Sequence, residues 1–382
     1  MSSNSTQIGE YARLLVERCL SVQPGWQVTV RSSPLARPLV EEVTRRIARR
    51  GAYALVRLSY GLERLSHDLV WAAEAPLELL RTMPPIEMQA FETESAQISI
   101  VAPENTRDGS DLSPERQAAL RQGYEPATRR SRTLEIPWVI CEYPTPAAAQ
   151  GAGMTLAEYE EFVFGACLLD WDAERRKMEW IAERFDGAEE VRIVGEGTDL
   201  RLGIAGRKCE IDDGHLNLPG GEVFYGPVED ATEGVITYAE FPAEYQGNEA
   251  QGVRLRFESG RVVDASAATG EDFLVSALDT DPGARVLGEL GIGCNPAIRQ
   301  HMRNVLYDEK IYGTVHLALG NSYPFTGGSN VSALHWDMVK DLRNGGQLFC
   351  DGELVQENGE WTSLAPPGGN PSRPAEPASG VA

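Results

Sequence analysis

The first 150 residues alternate between segments with the periodicity of strands and segments with the periodicity of helices. WQVTVRS at 26–32 alternates apolar and polar residues, as a half-buried strand does. LARPLVEEVTRRIARRGA at 35–52 has apolar residues at helical spacing and closes at a glycine, and YALVRLSY at 53–60 again has strand periodicity. This order predicts an α/β domain with a mostly parallel sheet. No Gly-x-Gly-x-x-Gly follows the first strand, so nothing indicates a dinucleotide site.

The second half of the chain has a different pattern. Residues 154–185 predict one or two helices, which begin at a capping box formed by Thr155 and Glu158. Short alternating segments follow, separated by turn pairs such as Ser259-Gly260. Such spacing is typical of a β-rich domain with antiparallel strands.

The length of 382 residues exceeds what one average domain needs. We therefore predict an α+β protein with an N-terminal α/β domain over 1–150 and a β-rich domain over 151–363, which includes the linking helices. The tail at 364–382 is rich in proline and glycine and has too few hydrophobic residues to order.

The composition is that of a soluble globular protein, with 42% hydrophobic and 24% charged residues. A net charge of −22 argues against a nucleic-acid partner, because binding to phosphates requires a basic surface. The lysines are scattered along the sequence, and we interpret all of them as solvated surface residues: Lys177, Lys208, Lys310 and Lys340.

Nothing in the sequence indicates export or a membrane. The six cysteines are dispersed and form no Cys-x-x-Cys, so a disulfide framework is not expected. The N-terminal residues lack the pattern of a secretory signal, and no apolar run approaches the length of a membrane span. We expect a cytoplasmic protein.

Two histidines and an aspartate suggest a metal site. His335 and Asp337 are two residues apart, so both side chains point to the same face if the segment is a strand. His316 precedes them, and glycines and turn formers between the two histidines allow the chain to fold back. Imidazole and carboxylate together suit zinc, cobalt or ferrous iron. The alternative is a loop with two ordinary histidines.

Two isolated glutamates strengthen this prediction. Glu222 follows the turn Pro219-Gly220-Gly221 at the start of an apolar segment, and Glu289 lies between apolar residues after a glycine. A buried carboxylate needs a cation, hydrogen bonds or a raised pKa. With the two histidines and Asp337 they supply enough donors for two metals, although either glutamate alone also fits a surface turn.

Four segments in this order resemble the thermophilic-type metalloaminopeptidases, the aminopeptidase T and aminopeptidase S group. The resemblance covers about 130–342, and the segments are NLPGGEVFYGP, LGELGIGCNPAI, HLALGNSYP and NVSALHWDMVKDL. It implies a homodimeric metallo-exopeptidase with two divalent ions (zinc, cobalt, manganese or magnesium) that removes N-terminal residues from peptides.

The resemblance also implies roles for individual residues. The metal ligands would be Glu222, Glu289, His316, His335 and Asp337. Tyr323 would lie over the site as a catalytic residue, whose hydroxyl stabilises the oxyanion, or as a weak ligand. In the mechanism that follows, Glu289 is the candidate general base, and the alternative is that it only bridges the metals. Glu222 and Glu229 are candidates for receiving the substrate's amine. We interpret the remaining histidines as structural: His67, His215 and His301.

Two alternatives stay open. Two histidines and one carboxylate also form the iron site of non-haem oxygenases, and ring-cleaving dihydroxypyridine dioxygenases are similar to this fold. Such a mononuclear site needs neither Glu222 nor Glu289, so their presence favours the aminopeptidase. The second alternative is a non-catalytic relative that binds peptides.

Overall fold

A computed structural model describes residues 3–62, 67–132, 134–245 and 247–362. The chain forms two compact units, with Met1–Leu169 and Asp212–Gly220 in unit 1 and the remaining residues in unit 2. This division differs from the predicted boundary at residue 150, because the helix after that residue and the later segment at 212–220 both belong to unit 1. The predicted tail at 364–382 lies outside the described residues.

Unit 1 has the predicted alternation of strands and helices. Its elements are α1 Ser3–Arg13 with a π-helical continuation Leu14–Cys19, β1 Gln27–Ser32, α2 Arg37–Arg49, β2 Tyr53–Leu58, β3 Gly61–Leu62, β4 His67–Asp68, α3 Leu69–Glu74, α4 Leu77–Leu80, α5 Pro85–Thr93, β5 Ala96–Val101, α6 Pro114–Arg132, β6 Trp138–Glu142, α7 Pro146–Gly151, α8 Leu156–Cys167 and, after the excursion into unit 2, β10 Asn217–Leu218.

The sheet of unit 1 has the strand order β10-β6-β5-β1-β2, and every pair in it is parallel. The central strands β1 and β5 are buried, with Val28, Val30, Ile98 and Ile100 fully inaccessible, as a parallel sheet covered on both faces requires. The prediction of a parallel α/β domain is confirmed.

Unit 2 is built mainly of short strands. Its elements are α9 Trp171–Ala182, β7 Glu190–Gly195, β8 Thr198–Gly203, β9 Glu210–Asp212, β11 Glu222–Tyr225, β12 Thr232–Tyr238, β13 Ala243–Tyr245, β14 Asn248–Ala250, β15 Val253–Glu258, β16 Arg261–Ser266, α10 Glu271–Leu278, β17 Leu287–Gly293, α11 Val305–Asp308, β18 Thr314–Gly320, β19 His335–Asp341, β20 Gln347–Cys350, β21 Glu353–Glu357 and β22 Glu360–Trp361.

Two antiparallel sheets form the body of unit 2. One has the order β16-β15-β12-β8-β7-β20-β21-β22 and the other has the order β19-β18-β17-β11-β9. Apolar residues of both sheets, such as Leu200, Ile236, Ile292 and Leu317, belong to one buried cluster. The two sheets therefore share a hydrophobic core. The face of the second sheet that points away from this core can carry polar groups. The prediction of a β-rich domain is confirmed.

Local signals explain several details of the helices. The capping box at α8 is present, with Thr155 accepting from the Glu158 amide and the Glu158 carboxylate accepting from the Thr155 amide. The helical segment at 69–80 is divided into α3 and α4, because Pro76 cannot donate the hydrogen bond that would continue the first helix. Among the described residues, no helix is long and apolar enough to cross a membrane.

The interpretation of every lysine as a surface residue is wrong for two of them. Lys310 and Lys340 are buried, each against glutamate: Lys340 Nζ lies 2.6 Å from Glu240 Oε1, and Lys310 lies between two carboxylates. A buried ammonium requires such partners, because it would otherwise lose its hydration without compensation.

Candidate metal centre

The five predicted ligands lie on neighbouring strands of one sheet. Glu222 is the first residue of β11, Glu289 lies in β17, His316 lies in β18, and His335 and Asp337 lie in β19. These strands are adjacent in the order β19-β18-β17-β11. The antiparallel pairing thus brings together donors that are more than a hundred residues apart in sequence.

The register places each donor opposite a small residue. Directly opposed residues of an antiparallel pair share a face of the sheet, so small partners leave room above it. The opposed pairs are Glu222 with Gly293, His316 with Gly291, Glu289 with Ala318, Asp337 with Ala318, and His335 with Gly320. All five donors therefore point to one face, over a floor of glycine and alanine.

His316 is the point at which the carboxylates meet. It is fully buried, and its Nε2 lies 3.1 Å from Glu289 Oε1 and 3.4 Å from Glu222 Oε2. Burial alone would lower the pKa of this imidazole, but the hydrogen bond to Glu289 and the nearby carboxylate charges outweigh it and raise the pKa to about 10. The cluster therefore favours a positive charge at its centre, whether a proton or a metal ion carries it.

His335 is held in an orientation suited to a ligand. Its Nδ1 lies 2.8 Å from the main-chain oxygen of Asn321, to which it can donate. Its Nε2 then faces the cluster, 3.6 Å from Asp337 Oδ2 and 3.8 Å from Glu289 Oε2. Metal-ligating histidines commonly use one nitrogen for a backbone carbonyl in this way, which fixes the tautomer and the ring.

Tyr323 lies beside the cluster. Its ring contacts the edge of His335, with centroids 5.4 Å apart, and packs against Phe325 and Phe224 at 5.2 and 5.9 Å. Burial, followed by the charges of Glu289 and Asp337, raises the pKa of its hydroxyl well above 10. The hydroxyl therefore stays protonated and can donate a hydrogen bond at neutral pH.

Two residues of the site were missed by sequence reasoning. Lys310 Nζ lies 3.1 Å from Glu222 Oε1 and is in closer contact with Glu309 Oε1. The Glu309 carboxylate in turn reaches the same cluster as His316 and Asp337. The segment DEKIYG has several charged residues at a turn, which is typical of an exposed segment. No local signal therefore distinguishes these side chains from surface residues.

The other candidates lie in other surroundings. Glu229 accepts hydrogen bonds from the Ser329 amide at 2.6 Å and the Ser329 hydroxyl at 2.7 Å, and it pairs with Arg207, so it fixes the loop before β19. His301 stacks on Phe241, with ring centroids 4.9 Å apart, and its Nε2 lies 3.2 Å from Asp308 Oδ2. His215 contacts Asp213 in unit 1. The side chain of His67 lies outside the described residues.

The set of donor atoms fits a divalent metal ion. Donor atoms of Glu222, Glu289 and His316 all lie within 4.8 Å of one another, as do those of Glu309, His316 and Asp337. Among the described residues, the buried Asp337 Oδ1 has no hydrogen-bond partner, so this oxygen is left for a cation. Nitrogen and carboxylate oxygen donors of this kind suit zinc, cobalt or manganese.

The chain is similar to proteins named as aminopeptidases. Aminopeptidase 2 from Geobacillus stearothermophilus is 28% identical over 359 residues, which cover 83% of this chain and 84% of that protein. The structure of wild-type AmpT from Thermus thermophilus superimposes with a TM-score of 0.80 at 25% identity, covering 94% of this chain and all of AmpT.

A 2,5-dihydroxypyridine dioxygenase from Pseudomonas putida superimposes with a TM-score of 0.61 over 98% of this chain and all of that chain. At 14% identity this likeness shows a common fold only. The family model described as thermophilic metalloprotease (M29) matches residues 4–361. On the strength of that match, which spans both units, the chain belongs to the M29 family of metallopeptidases.

Proposed function

We propose that this protein is a metal-dependent aminopeptidase that hydrolyses the N-terminal peptide bond of peptides at a centre of two divalent ions. Membership of the M29 family already implies a metallopeptidase with a divalent ion. The observation that carries the finer proposal is the pair of donor groups that overlap at His316. The proposed ligands are Glu222, Glu289, His316, His335 and Asp337.

The charges of the cluster support two ions over one. The imidazoles are surrounded by four carboxylates, those of Glu222, Glu289, Glu309 and Asp337. In the described part of the chain, the Lys310 ammonium is the lysine cation that contacts them. With neutral imidazoles the cluster carries three net negative charges. Two divalent ions together with one hydroxide would balance this charge, whereas a single ferrous ion would leave one negative charge uncompensated.

The reaction follows from the positions of the side chains. When bound, the ions would supply a water of lowered pKa beside the scissile carbonyl. Glu289 would take a proton from this water as its oxygen attacks the carbonyl carbon, and would pass the proton to the leaving nitrogen as the C–N bond breaks. The Tyr323 hydroxyl would donate a hydrogen bond to the carbonyl oxygen as that atom gains negative charge.

The deciding experiment measures metal content per chain beside hydrolysis of leucine and arginine p-nitroanilides, for the wild type and Glu289→Gln. We expect two ions per wild-type chain and release of p-nitroaniline. We expect Glu289→Gln to lower kcat by roughly 100-fold to 10,000-fold, the range found for general acid–base groups. Glu353→Gln, at an exposed carboxylate of β21, is the matched control and should behave as the wild type.

The outcome also separates the alternatives. One tightly held iron per chain, with no cleavage after cobalt or zinc is added, would contradict the aminopeptidase and favour ring-cleaving dioxygenase chemistry. Two ions per chain without cleavage of any aminoacyl substrate would instead favour a peptide-binding relative.

We also propose a homodimer that works in the cytoplasm, with zinc, cobalt, manganese or magnesium as the metal. The dimer rests on the resemblance of the four sequence segments to dimeric relatives. Light scattering coupled to gel filtration measures its mass directly, and a monomeric mass for the active enzyme would contradict it.

A further inference from the structure

The loop between β18 and β19 carries one side chain that lies beside the metal centre and leads directly to one of the proposed ligands. It comprises residues 321–334, NSYPFTGGSNVSAL, and we call it the site loop. Tyr323 lies near its start, and His335 follows its last residue. A segment rich in glycine and serine has many accessible backbone conformations, so contacts with other parts of unit 2 must select one of them. The positions of both side chains therefore depend on what holds the site loop.

Asn330 joins the two ends of the site loop. Its side-chain Nδ2 donates to the main-chain oxygen of Gly320 at 2.6 Å and to that of Gly283 at 3.0 Å. Both partners only accept hydrogen bonds, so the amide nitrogen of the side chain must face them. The main-chain oxygen of Asn330 accepts from the amide of Ser322 at 3.0 Å and from its hydroxyl at 3.2 Å. Asn330 thus ties the start of the loop to the end of β18 and to the segment before β17.

Asp281 holds the end of the site loop. Its carboxylate accepts from the amide of Ala333 at 2.7 Å, the hydroxyl of Ser332 at 2.8 Å and the amide of Gly283 at 2.9 Å. The Ser332 hydroxyl in turn accepts from the amide of Leu334 at 3.0 Å. Burial would raise the pKa of Asp281, but these hydrogen bonds outweigh it and lower the pKa. The carboxylate is therefore ionised at neutral pH and holds residues 332–334.

The end of the loop determines the orientation of His335. The main-chain oxygen of Leu334 accepts from the amide of Asn321 at 2.7 Å. The main-chain oxygen of Asn321 lies 2.8 Å from His335 Nδ1 and can accept its hydrogen. The carbonyl that orients the imidazole is thus held by the same residues that Asp281 fixes, and a shift of the loop end would turn the ring.

The start of the loop determines the position of Tyr323. Ser322, the residue before it, donates two hydrogen bonds to the main-chain oxygen of Asn330. The main-chain oxygen of Tyr323 accepts from the Thr326 hydroxyl at 2.7 Å and the Thr326 amide at 3.1 Å. A Cβ atom at Gly328 would lie 2.6 Å from Ser322 Cβ, so the backbone passes too close for a side chain there. The backbone at Tyr323 is therefore set by a closely packed turn that Asn330 closes.

We propose that Asn330 and Asp281 are positioning residues of the metal centre: they hold the site loop so that His335 presents Nε2 to the metal and Tyr323 presents its hydroxyl to the substrate. Both act through the backbone of the loop. A substitution that removes their hydrogen bonds leaves polar backbone groups without these partners, so the loop should shift. This inference rests on the proposed aminopeptidase function, in which the imidazole and the phenol have these roles.

The first test is Asn330→Asp, which preserves the size of the side chain and replaces the donating nitrogen by an oxygen. Two carbonyl oxygens then face a carboxylate oxygen, so the two ends of the loop should separate. We expect the zinc affinity of the metal-free protein and kcat for leucine p-nitroanilide both to fall about 10-fold to 100-fold, with little change in KM. Asn358→Asp is the matched control, because this side chain at an exposed turn accepts from the Gly345 amide and a carboxylate can do the same.

A double-mutant cycle shows whether Asn330 acts through Tyr323. Tyr323→Phe removes the hydroxyl, so misplacement of the ring should cost less in that background. We expect Asn330→Asp to lower kcat by a smaller factor in Tyr323→Phe than in the wild type, because the two residues contribute to one step. A purely structural role predicts the same factor in both backgrounds, and that result would overturn the inference for Tyr323.

Asp281→Asn tests the other end of the loop, because an amide keeps the shape of the side chain but has one accepting oxygen in place of two. We expect zinc affinity to fall by about 10-fold or more, as for loss of other partners that orient a ligand. Ser332→Ala removes the hydroxyl that links Asp281 to Leu334 and should change zinc affinity in the same direction. Asp264→Asn, at an exposed carboxylate of β16, is the matched control.

Circular dichroism of each metal-free variant shows whether it is folded. If Asn330→Asp or Asp281→Asn is unfolded, the smaller changes Asn330→Ala and Ser332→Ala decide the question. Folded variants that bind zinc and cleave substrate like the wild type would contradict the positioning roles. Loss of stability in urea with unchanged zinc affinity and kcat would also overturn them. A wild type that cleaves no substrate contradicts the proposed function, but the zinc affinity of the variants still reports on His335, so the two failures are distinguishable.

Discussion

The ring of His316 lies against the backbone of its cross-strand neighbour Gly291. A Cβ atom at residue 291 would come within 2.0 Å of His316 Cε1 and 2.1 Å of His316 Nε2, closer than any real contact. The two residues are directly opposed in the pairing of β17 with β18. The position of the central imidazole therefore depends on the absence of a side chain at residue 291.

Gly291→Ala should displace His316 and weaken metal binding without unfolding unit 2. The added methyl group clashes with a side chain that can rotate, so the imidazole moves out of reach of Glu222 and Glu289. We expect metal affinity to fall by at least about 10-fold, as for other changes that misorient a ligand. Zinc titration of the metal-free variant measures this. Gly165→Ala, at an exposed position of α8 where an added Cβ meets no atom within 4 Å, is the control for added bulk. Unchanged affinity would contradict this dependence.

Tyr323→Phe should lower the rate of hydrolysis and leave the metal content unchanged. Phenylalanine keeps the ring contacts with Phe325 and Phe224 but removes the hydroxyl that we propose stabilises the oxyanion. Removal of one such donor costs about 100-fold to 1,000-fold in kcat. Steady-state kinetics with leucine p-nitroanilide, beside metal analysis, check this. A change confined to KM would assign Tyr323 to substrate binding alone.

Binding of metal at neutral pH should release protons. The carboxylates raise the pKa of His316 to about 10 and also raise that of His335, so at least the His316 imidazole of the metal-free protein holds a proton at pH 7. Only neutral imidazole coordinates a metal, so about one proton or more should leave per chain. Calorimetric titration of zinc in buffers of different ionisation enthalpy gives the number. No dependence on the buffer would show that the imidazoles are already neutral.

The titration of His301 should oppose folding as the pH drops from about 6.5 to about 4. Burial and Arg303 lower the pKa of His301 to about 4, so the unfolded chain binds a proton over this range that the folded protein does not. Burial raises the pKa of the neighbouring Asp308 to about 8, so the folded protein holds a proton on this carboxyl that the unfolded chain has released. The two effects have opposite signs, so the contribution of His301 is measured by comparing the wild type with a variant that lacks the imidazole.

His301→Phe should remove this contribution, because phenylalanine preserves the stacking on Phe241 and does not titrate. Between pH 7 and pH 5 the variant should gain about 1–2 kcal/mol of unfolding free energy relative to the wild type. Urea denaturation at pH 5 and pH 7 measures the difference. An equal change of stability in wild type and variant would contradict a contribution from His301.

Much of the fold could be predicted from local patterns in the sequence. The alternation in WQVTVRS predicted β1, and the capping box at Thr155 and Glu158 predicted the start of α8. The five proposed ligands could be named because carboxylates and histidines in apolar segments are conspicuous, and because four segments resemble a known family. The small residues opposite them are also visible in LGELGIG and HLALG, although their meaning requires the register of the strands.

The order of strands and helices and the identity of the conspicuous donors follow from the sequence. Periodicity and isolated charges can be recognised within a few neighbouring residues. Tertiary structure alone decided that Lys310 is buried between Glu222 and Glu309, and that the segment at 212–220 joins the sheet of unit 1. Whether a lysine lies inside or outside depends on the charges that distant strands bring to it, and the residues beside it in the chain do not contain that information.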